Sequence, residues 1–214
     1  MKKTFLLSCL MLAAMPVMAA YTGRVYVDKN KNGVFDPSEQ QLAGIKVSDG
    51  LNVVETAADG SFTLPGHERE RFIFITTPSG YKTFNRHYHK IEEKQSGYDF
   101  GLMPYSGRIR KDGSHKYIHI ADTEIFNTEN HADWVNNVRD YARNEQAAFI
   151  IHTGDICYEK GLKAHIKLMN TENMDCPVFY CIGNHDLVKG KYGEELFESI
   201  YGPVYYSFDA GNVH

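Results

Sequence analysis

Three short polar motifs in the second half of the chain each follow a run of apolar residues. They are Ala121-Asp122-Thr123-Glu124, Thr153-Gly154-Asp155 and Gly183-Asn184-His185-Asp186. Carboxylate, amide and imidazole groups at strand ends can hold a pair of divalent cations. Two cations about 3.5–4 Å apart can bind a phosphoester, supply a hydroxide nucleophile and stabilise the leaving oxygen. The motifs therefore predict a site suited to phosphoester hydrolysis.

The order and spacing of these motifs resemble those of the calcineurin-like metallophosphoesterases. The resemblance covers roughly residues 117–214, and the stretches Tyr201-Gly202-Pro203-Val204-Tyr205-Tyr206-Ser207-Phe208 and Gly211-Asn212-Val213-His214 strengthen it. A lone Gly-Asp pair indicates nothing, whereas Gly-Asn-His-Asp at a strand end is fairly specific. The resemblance implies a metal-dependent hydrolase that cleaves a phosphate mono- or diester.

The same resemblance implies a role for each motif residue. Asp122 would bind the first metal, Asp155 would bridge both, and Asn184 would bind the second. His185 would stand beside the phosphate as a proton donor or electrostatic stabiliser, oriented by Asp186. The implied cofactors are two divalent ions, and mixed oxygen and nitrogen ligands suit Mn²⁺, Fe or Zn²⁺. Each residue alone has a structural alternative, such as the capping of a turn by Asp155.

Glu124 departs from the family pattern, which usually has a histidine two residues after the first aspartate. A glutamate can ligate a metal, so Glu124 is a candidate ligand, but the change could also indicate a decayed site or another metal preference. The family also supplies later histidine ligands that end in a Gly-His-x-His segment, which these 214 residues do not contain. We therefore expect a truncated phosphoesterase, and the activity of this chain alone stays open.

A second candidate site lies in the first half, in the twelve residues 28–39. The segment Asp28-Lys29-Asn30-Lys31-Asn32-Gly33-Val34-Phe35-Asp36-Pro37-Ser38-Glu39 matches the calcium-loop pattern at every specified position. Hard oxygen ligands at this spacing suit Ca²⁺, and the alternative is a polar surface turn. The predicted ligands are the side chains of Asp28, Asn30, Asn32, Asp36 and Glu39 and the carbonyl of Val34.

The elements that must position the motifs alternate between strand and helix. Apolar strands are predicted at 117–121, 147–151 and 177–182, and another at 204–208. Helices are expected near 130, over 160–169 and over 194–200; the first would present Trp134, Val138 and either Tyr141 or Ala142 on one face. Alternation of this kind predicts a mainly parallel sheet, with ligands beyond the carboxyl ends of its strands.

The first half reads differently, as short strands separated by turns. Strands are predicted at 23–27, 44–47, 52–56, 61–64, 71–76 and 98–102. Residues 23–64 resemble the small β-sandwich repeats of bacterial surface proteins, which implies a positioning role. The fold class expected is α+β: an N-terminal antiparallel β-sandwich over residues 21–104, then an incomplete α/β metallophosphoesterase sandwich over 115–214.

The N-terminus predicts export. Two lysines, an apolar run and two closing alanines over residues 1–20 form a signal-peptide pattern, which favours a periplasmic or extracellular location over lipidation at Cys9. No later segment is apolar enough to span a membrane. A net charge of −4 argues against a nucleic-acid surface.

The expected partner is a small phosphoester or a cell-surface substrate. A second hypothesis is a non-catalytic surface or adhesion module, in which the calcium-loaded sandwich is the working part and the phosphoesterase sheet is a remnant. A third is a degenerate phosphoesterase that keeps one metal for binding.

Overall fold

The computed structural model describes residues 20–214, apart from residues 68, 84, 85, 96 and 107. Almost all of the predicted signal peptide, residues 1–19, lies outside the described residues. Within the described residues, none of the helices combines the length and the apolar character that crossing a membrane requires.

Two four-stranded sheets form the first half. Their strands are β1 (Tyr21–Val27), β2 (Lys46–Ser48), β3 (Val53–Glu55), β4 (Ser61–Leu64), β5 (Phe72–Ile75), β6 (Tyr81–Thr83), β7 (Tyr88–Lys90) and β8 (Phe100–Pro104). One sheet has the order β4-β1-β8-β6 and the other β3-β2-β5-β7. All neighbours are antiparallel except β1 and β8, so the first sheet is mixed.

A single apolar core lies between these two sheets. Val25 and Leu102 reach it from one sheet, and Val47, Ile73 and Ile75 reach it from the other; all five are fully buried. In β1 and β4, alternate side chains point to this core, as expected for strands with one buried face. The core explains why runs of only three to seven residues are stable as strands here.

A parallel sheet with order β11-β10-β9 organises the second half. Its elements are β9 (Tyr117–Ile120), α1 (Ala132–Asn144), β10 (Phe149–His152), α2 (Glu159–Leu168), β11 (Val178–Tyr180), a 3₁₀ turn (Asn184–Asp186) and α3 (Glu195–Tyr201). The predicted α+β class and the parallel arrangement of the three motif-bearing strands are confirmed.

Helix α1 packs on the sheet through a different stripe from the one expected. Val135 and Ala142 are buried and Val138 packs beside them, at intervals of three and four residues. Trp134 and Tyr141 are instead exposed, at 42% and 59%. The prediction was wrong for Trp134 because the two candidate stripes differ by one residue, and the small valine fits closer to the sheet than the indole.

The strand predicted at 204–208 is also absent from the described structure. This segment instead runs without regular pairing across the face of the sheet that α1 and α2 leave open, and Phe208 stacks on Phe179 with ring centroids 3.6 Å apart. Phe208 makes one bridge to Thr77 of the first half. The alternating apolar residues of this segment are partly buried by packing between the two halves of the chain and not by pairing in a sheet.

The two halves share an extensive contact along this segment. Thr76 Oγ1 lies 2.8 Å from Ser207 Oγ, and Arg71 pairs with Glu198 at 2.8 Å. The phenol of Tyr88 donates to the carbonyl of Ile200 at 3.3 Å. The β-sandwich is therefore fixed against α3 and the segment that follows it.

Candidate metal centre

The three polar motifs begin at one edge of the parallel sheet. Ile120, His152 and Tyr180 end their strands in the same register row, because His152 pairs with both of the others. Asp122 follows this row by two residues, Asp155 by three and Asn184 by four. The predicted placement of the motifs beyond the carboxyl ends of neighbouring strands is therefore what the topology produces.

Direct hydrogen bonds join the three motif loops. The amide of Asp122 donates to the carbonyl of Gly154 at 3.2 Å, and the amide of His185 donates to Asp155 Oδ1 at 3.0 Å. A Cβ atom at Gly183 would lie 2.1 Å from the amide nitrogen of Asp155, so only glycine permits this approach. The second and third loops thus cross with their backbones in contact.

Three of the predicted ligands have left-handed backbone. The φ angles of Asp122, Glu124 and Asp155 are 55°, 49° and 51°. Residues other than glycine rarely adopt these angles, and such strain concentrates at functional sites. Asp122 and Asn184 are exposed, and Asp155 is partly buried, so their oxygens can be reached from solvent.

Asp186 links the second motif loop to the third through hydrogen bonds to backbone amides of both. It is fully buried, and its Oδ1 accepts the amides of Ile156 at 2.9 Å and Cys157 at 3.1 Å. Its Oδ2 accepts the amide of Gly183 at 2.9 Å. Burial raises the pKa of this carboxyl above its usual value, although the three amides oppose that shift. The carboxylate expected to orient His185 is thus occupied by backbone groups.

The imidazole of His185 lies between two side chains. Its ring stacks on Tyr158, with centroids 5.0 Å apart and planes at 19°. Its Nδ1 lies 3.5 Å from Glu124 Oε1 and is buried without a hydrogen-bond partner among the described residues. Tyr158 was not predicted as a site residue, although its place in the loop three residues after Asp155 was an available signal.

A buried histidine supports the first two loops. His152 Nε2 lies 3.0 Å from Thr123 Oγ1, inside the first motif. Burial lowers the pKa of His152 to about 4, so the ring is neutral near neutral pH. A neutral ring can bridge Thr123 and the sheet without placing an unpaired charge in the core. His152 therefore belongs to the support of the site.

The calcium-loop residues are gathered in one compact turn after β1. Asp28 is buried, and its carboxylate accepts the amides of Asn32 at 3.2 Å and Gly33 at 2.9 Å. Glu39 is also buried and accepts the amides of Lys29 and Asp36. The side-chain amides of Asn30 and Asn32 both donate to Asp36 Oδ2. The ligand set is rich in oxygen, which suits Ca²⁺, but Asp28, Asp36 and Glu39 do not all bring an oxygen within 4.8 Å of one another.

One other group of potential ligands exists in the first half. Asp49, His67 and Glu70 offer ligand atoms within 4.8 Å of one another, and this is the one such group of three among the described residues. The amide of Arg69 donates to His67 Nδ1, so the neutral ring carries its proton on Nε2, facing Asp49 at 3.4 Å. This tautomer favours an imidazole–carboxylate pair over a metal ligand.

Comparison with known families agrees with the geometry. Residues 115–212 match the model described as calcineurin-like phosphoesterase, and residues 29–105 match the model described as the N terminal of calcineurin-like phosphoesterase. The chain belongs to the calcineurin-like phosphoesterase family. No curated protein matches it. Both halves are thus typical of this family, and the likeness of the first half to surface-protein repeats stays a prediction.

Membership of the calcineurin-like phosphoesterases implies divalent metals at the motif edge. The oxygen donors of Asp122, Asp155 and Asn184 suit such ions, and they project from three loops that hydrogen bonds hold together. Asp122, Glu124 and Asp155 do not all bring a ligand atom within 4.8 Å of one another. The ligand types of Asp122, Asp155 and Asn184 therefore suit a metal centre at this edge, and Glu124 Oε1 lies 3.5 Å from His185 Nδ1.

Proposed function

We propose that this calcineurin-like phosphoesterase is an exported hydrolase that cleaves a phosphate mono- or diester at a two-metal site. The observation that carries the proposal is the register row of three strand ends, whose loops are hydrogen-bonded to each other and bear Asp122, Asp155 and Asn184. Export is proposed from the signal-peptide pattern of residues 1–20.

Each residue at this edge has a distinct task in the proposed reaction. Asp122, Asp155 and Asn184 would hold the cations, which when bound neutralise the ester's charge and activate the attacking water. Mn²⁺, Fe and Zn²⁺ all suit these ligands. His185, one residue beyond Asn184, would face the ester and stabilise or protonate the leaving oxygen. Asp186 keeps the second and third loops at their present spacing.

The test is metal-dependent turnover of an activated phosphoester by the purified protein. We expect hydrolysis of a 4-nitrophenyl phosphodiester or monoester in the presence of Mn²⁺ or Zn²⁺, and loss of at least about 100-fold with Asp155→Asn. Asp133→Asn, an exposed change on α1 outside the three motifs, is the control and should keep full activity. Metal-dependent turnover that survives Asp155→Asn would place the chemistry elsewhere.

Absence of turnover, together with calcium binding by residues 28–39, would favour the non-catalytic module instead. In that case the sandwich would be the working part, and a small phosphoester would not be its partner. Measuring the metal content of the wild type and of Asp155→Asn separates an inactive site that still binds metal from a site that binds none. A wild type without bound Mn²⁺ or Zn²⁺ would contradict the two-metal proposal.

A further inference from the structure

The Nδ1 atom of His185 is buried, and Asp186, the residue expected to orient the ring, makes no hydrogen bond with it. Nδ1 is buried and makes no hydrogen bond among the described residues. Asp186, the residue that the family pattern offers as its orienting group, has both oxygens engaged by backbone amides. Asp155 Oδ1 is likewise engaged, by the amide of His185 itself. Neither carboxylate makes a hydrogen bond with Nδ1 in this structure.

Glu124 is the carboxylate nearest to that nitrogen. Its Oε1 lies 3.5 Å from Nδ1, so a shift of about 0.5–0.8 Å would give a charge-assisted hydrogen bond. Catalytic hydrogen bonds are often long in the absence of substrate and tighten when it binds. The Glu124 side chain makes no hydrogen bond elsewhere among the described residues and is 46% exposed, so it is free to make this movement.

Two further features constrain the contact between Glu124 and His185. The backbone of Glu124 has a φ of 49°, a costly conformation for a glutamate. On the other side of the imidazole, Tyr158 stacks nearly parallel to the ring. The ring is thus bounded by an aromatic face and a carboxylate, which together limit its rotation.

We propose that Glu124 is the positioning residue of His185 and not a metal ligand. Its carboxylate accepts a hydrogen bond from the Nδ1–H group of His185. Tyr158 fixes the plane of the ring, so that Nε2 faces the leaving group. This inference rests on the proposed function. As the water oxygen bonds to phosphorus and the bond from phosphorus to the ester oxygen breaks, the doubly protonated ring gives its Nε2 proton to that oxygen and keeps the Nδ1 proton that faces Glu124. The attacking water loses a proton to solvent, and His185 regains one from solvent.

The first experiment compares Glu124→Gln with the wild type on two esters. An alkyl phosphoester needs a proton on its leaving oxygen, whereas 4-nitrophenolate leaves without one. We expect Glu124→Gln to slow the alkyl ester by at least about 10-fold and the nitrophenyl ester by less than about 3-fold, with unchanged metal content. Glu129→Gln, an exposed glutamate in the same loop, is the matched control. Lower metal content with equal losses on both esters would make Glu124 a ligand and overturn the proposal.

The second experiment tests whether Glu124 acts through His185. If it does, Glu124→Gln combined with His185→Ala should be no slower on the alkyl ester than His185→Ala alone, because the two changes remove one function. Multiplied losses in the double variant would contradict the proposal. A wild type with no turnover contradicts the proposed function instead, and leaves the next measurement to decide the role of Glu124.

The third experiment needs no activity. Long-range ¹H–¹⁵N spectra of the metal-free protein report which ring nitrogen of His185 carries the proton. At a pH where the ring is neutral, we expect its proton on Nδ1 in the wild type and a shift of population toward Nε2 in Glu124→Ala, while Glu129→Ala leaves the tautomer unchanged. A wild-type ring with its proton on Nε2, or a tautomer that Glu124→Ala does not alter, would overturn the proposal.

Discussion

Asp186 shows how one buried side chain can hold a site together without touching substrate. Its two oxygens accept three amides from the second and third motif loops. In Asp186→Asn one oxygen becomes an NH₂ group, which must face at least one backbone N–H. We expect a loss of about 1–3 kcal/mol in the free energy of unfolding, measured by urea denaturation.

The matched change for this prediction is Asp133→Asn on the surface of α1. It removes the same charge from an exposed position, and its effect should stay within about 0.5 kcal/mol. Equal stability of Asp186→Asn and the wild type would contradict this prediction. It would show that the hydrogen bonds of the carboxylate to the three amides do not stabilise the loops.

At the residue scale, the sequence predicted which residues form the candidate site more accurately than it predicted the contacts of each residue. The types of Asp122, Asp155 and Asn184 and their distance from apolar runs were sufficient to place them at one sheet edge. The contact between Glu124 and His185 could not be predicted, because Glu124 has a left-handed φ that glutamate seldom adopts. The burial of Asp186 was hidden too, since a carboxylate is rarely buried unless backbone donors surround it.

The calcium loop is a property of one element, the turn that follows β1. Its buried carboxylates, Asp28 and Glu39, accept backbone amides and would gain a cation partner on binding Ca²⁺. We expect Ca²⁺ to raise the thermal midpoint, because a ligand at 100 times its dissociation constant stabilises the folded state by about 2.7 kcal/mol. EDTA should reverse the shift.

Asp28→Asn and Asp36→Asn are the variants that test this loop. Each removes a charged oxygen ligand while keeping the size of the side chain, so each should weaken the calcium-dependent shift. Asp59→Asn, in an exposed turn of the same half, is the control and should keep the full shift. A midpoint that does not respond to Ca²⁺ in the wild type would make residues 28–39 a polar turn.

At the element scale, periodicity predicted which elements exist and left their faces ambiguous. The three parallel strands and the three helices were expected close to their observed bounds. The stripe of α1 was misassigned because Trp134 and Val135 both start an acceptable pattern, and only packing on the sheet selects Val135. Strands β6 and β7 were not predicted from the sequence.

At the scale of the whole molecule, the contact between the two halves had no signal in the sequence. It is assembled from residues far apart in the chain, such as Arg71 with Glu198 and Thr76 with Ser207. The segment 204–208 alternates like a strand, yet it serves this contact, and local pattern cannot distinguish a sheet neighbour from a second packed unit. The interface is therefore the part of the fold for which mutational tests add most.

Gly202 provides the sharpest test of that interface. It ends α3 with a φ of 95°, and a Cβ atom there would lie 2.2 Å from the ring of Tyr88 in the first half. Gly202→Ala must therefore both strain the backbone and push Tyr88 away from its bond to Ile200. We expect a loss of about 2–4 kcal/mol in the free energy of unfolding, measured by urea denaturation.

Gly44 separates the two causes, because it also has positive φ, at 73°, but a Cβ atom there would meet nothing within 4 Å. Gly44→Ala should therefore cost only the backbone strain, about 1–2 kcal/mol. Adding Tyr88→Ala to each variant completes the argument. The smaller side chain should relieve part of the Gly202→Ala loss and none of the Gly44→Ala loss. Equal costs for the two glycines, with no relief, would mean that Tyr88 does not hold the two halves together.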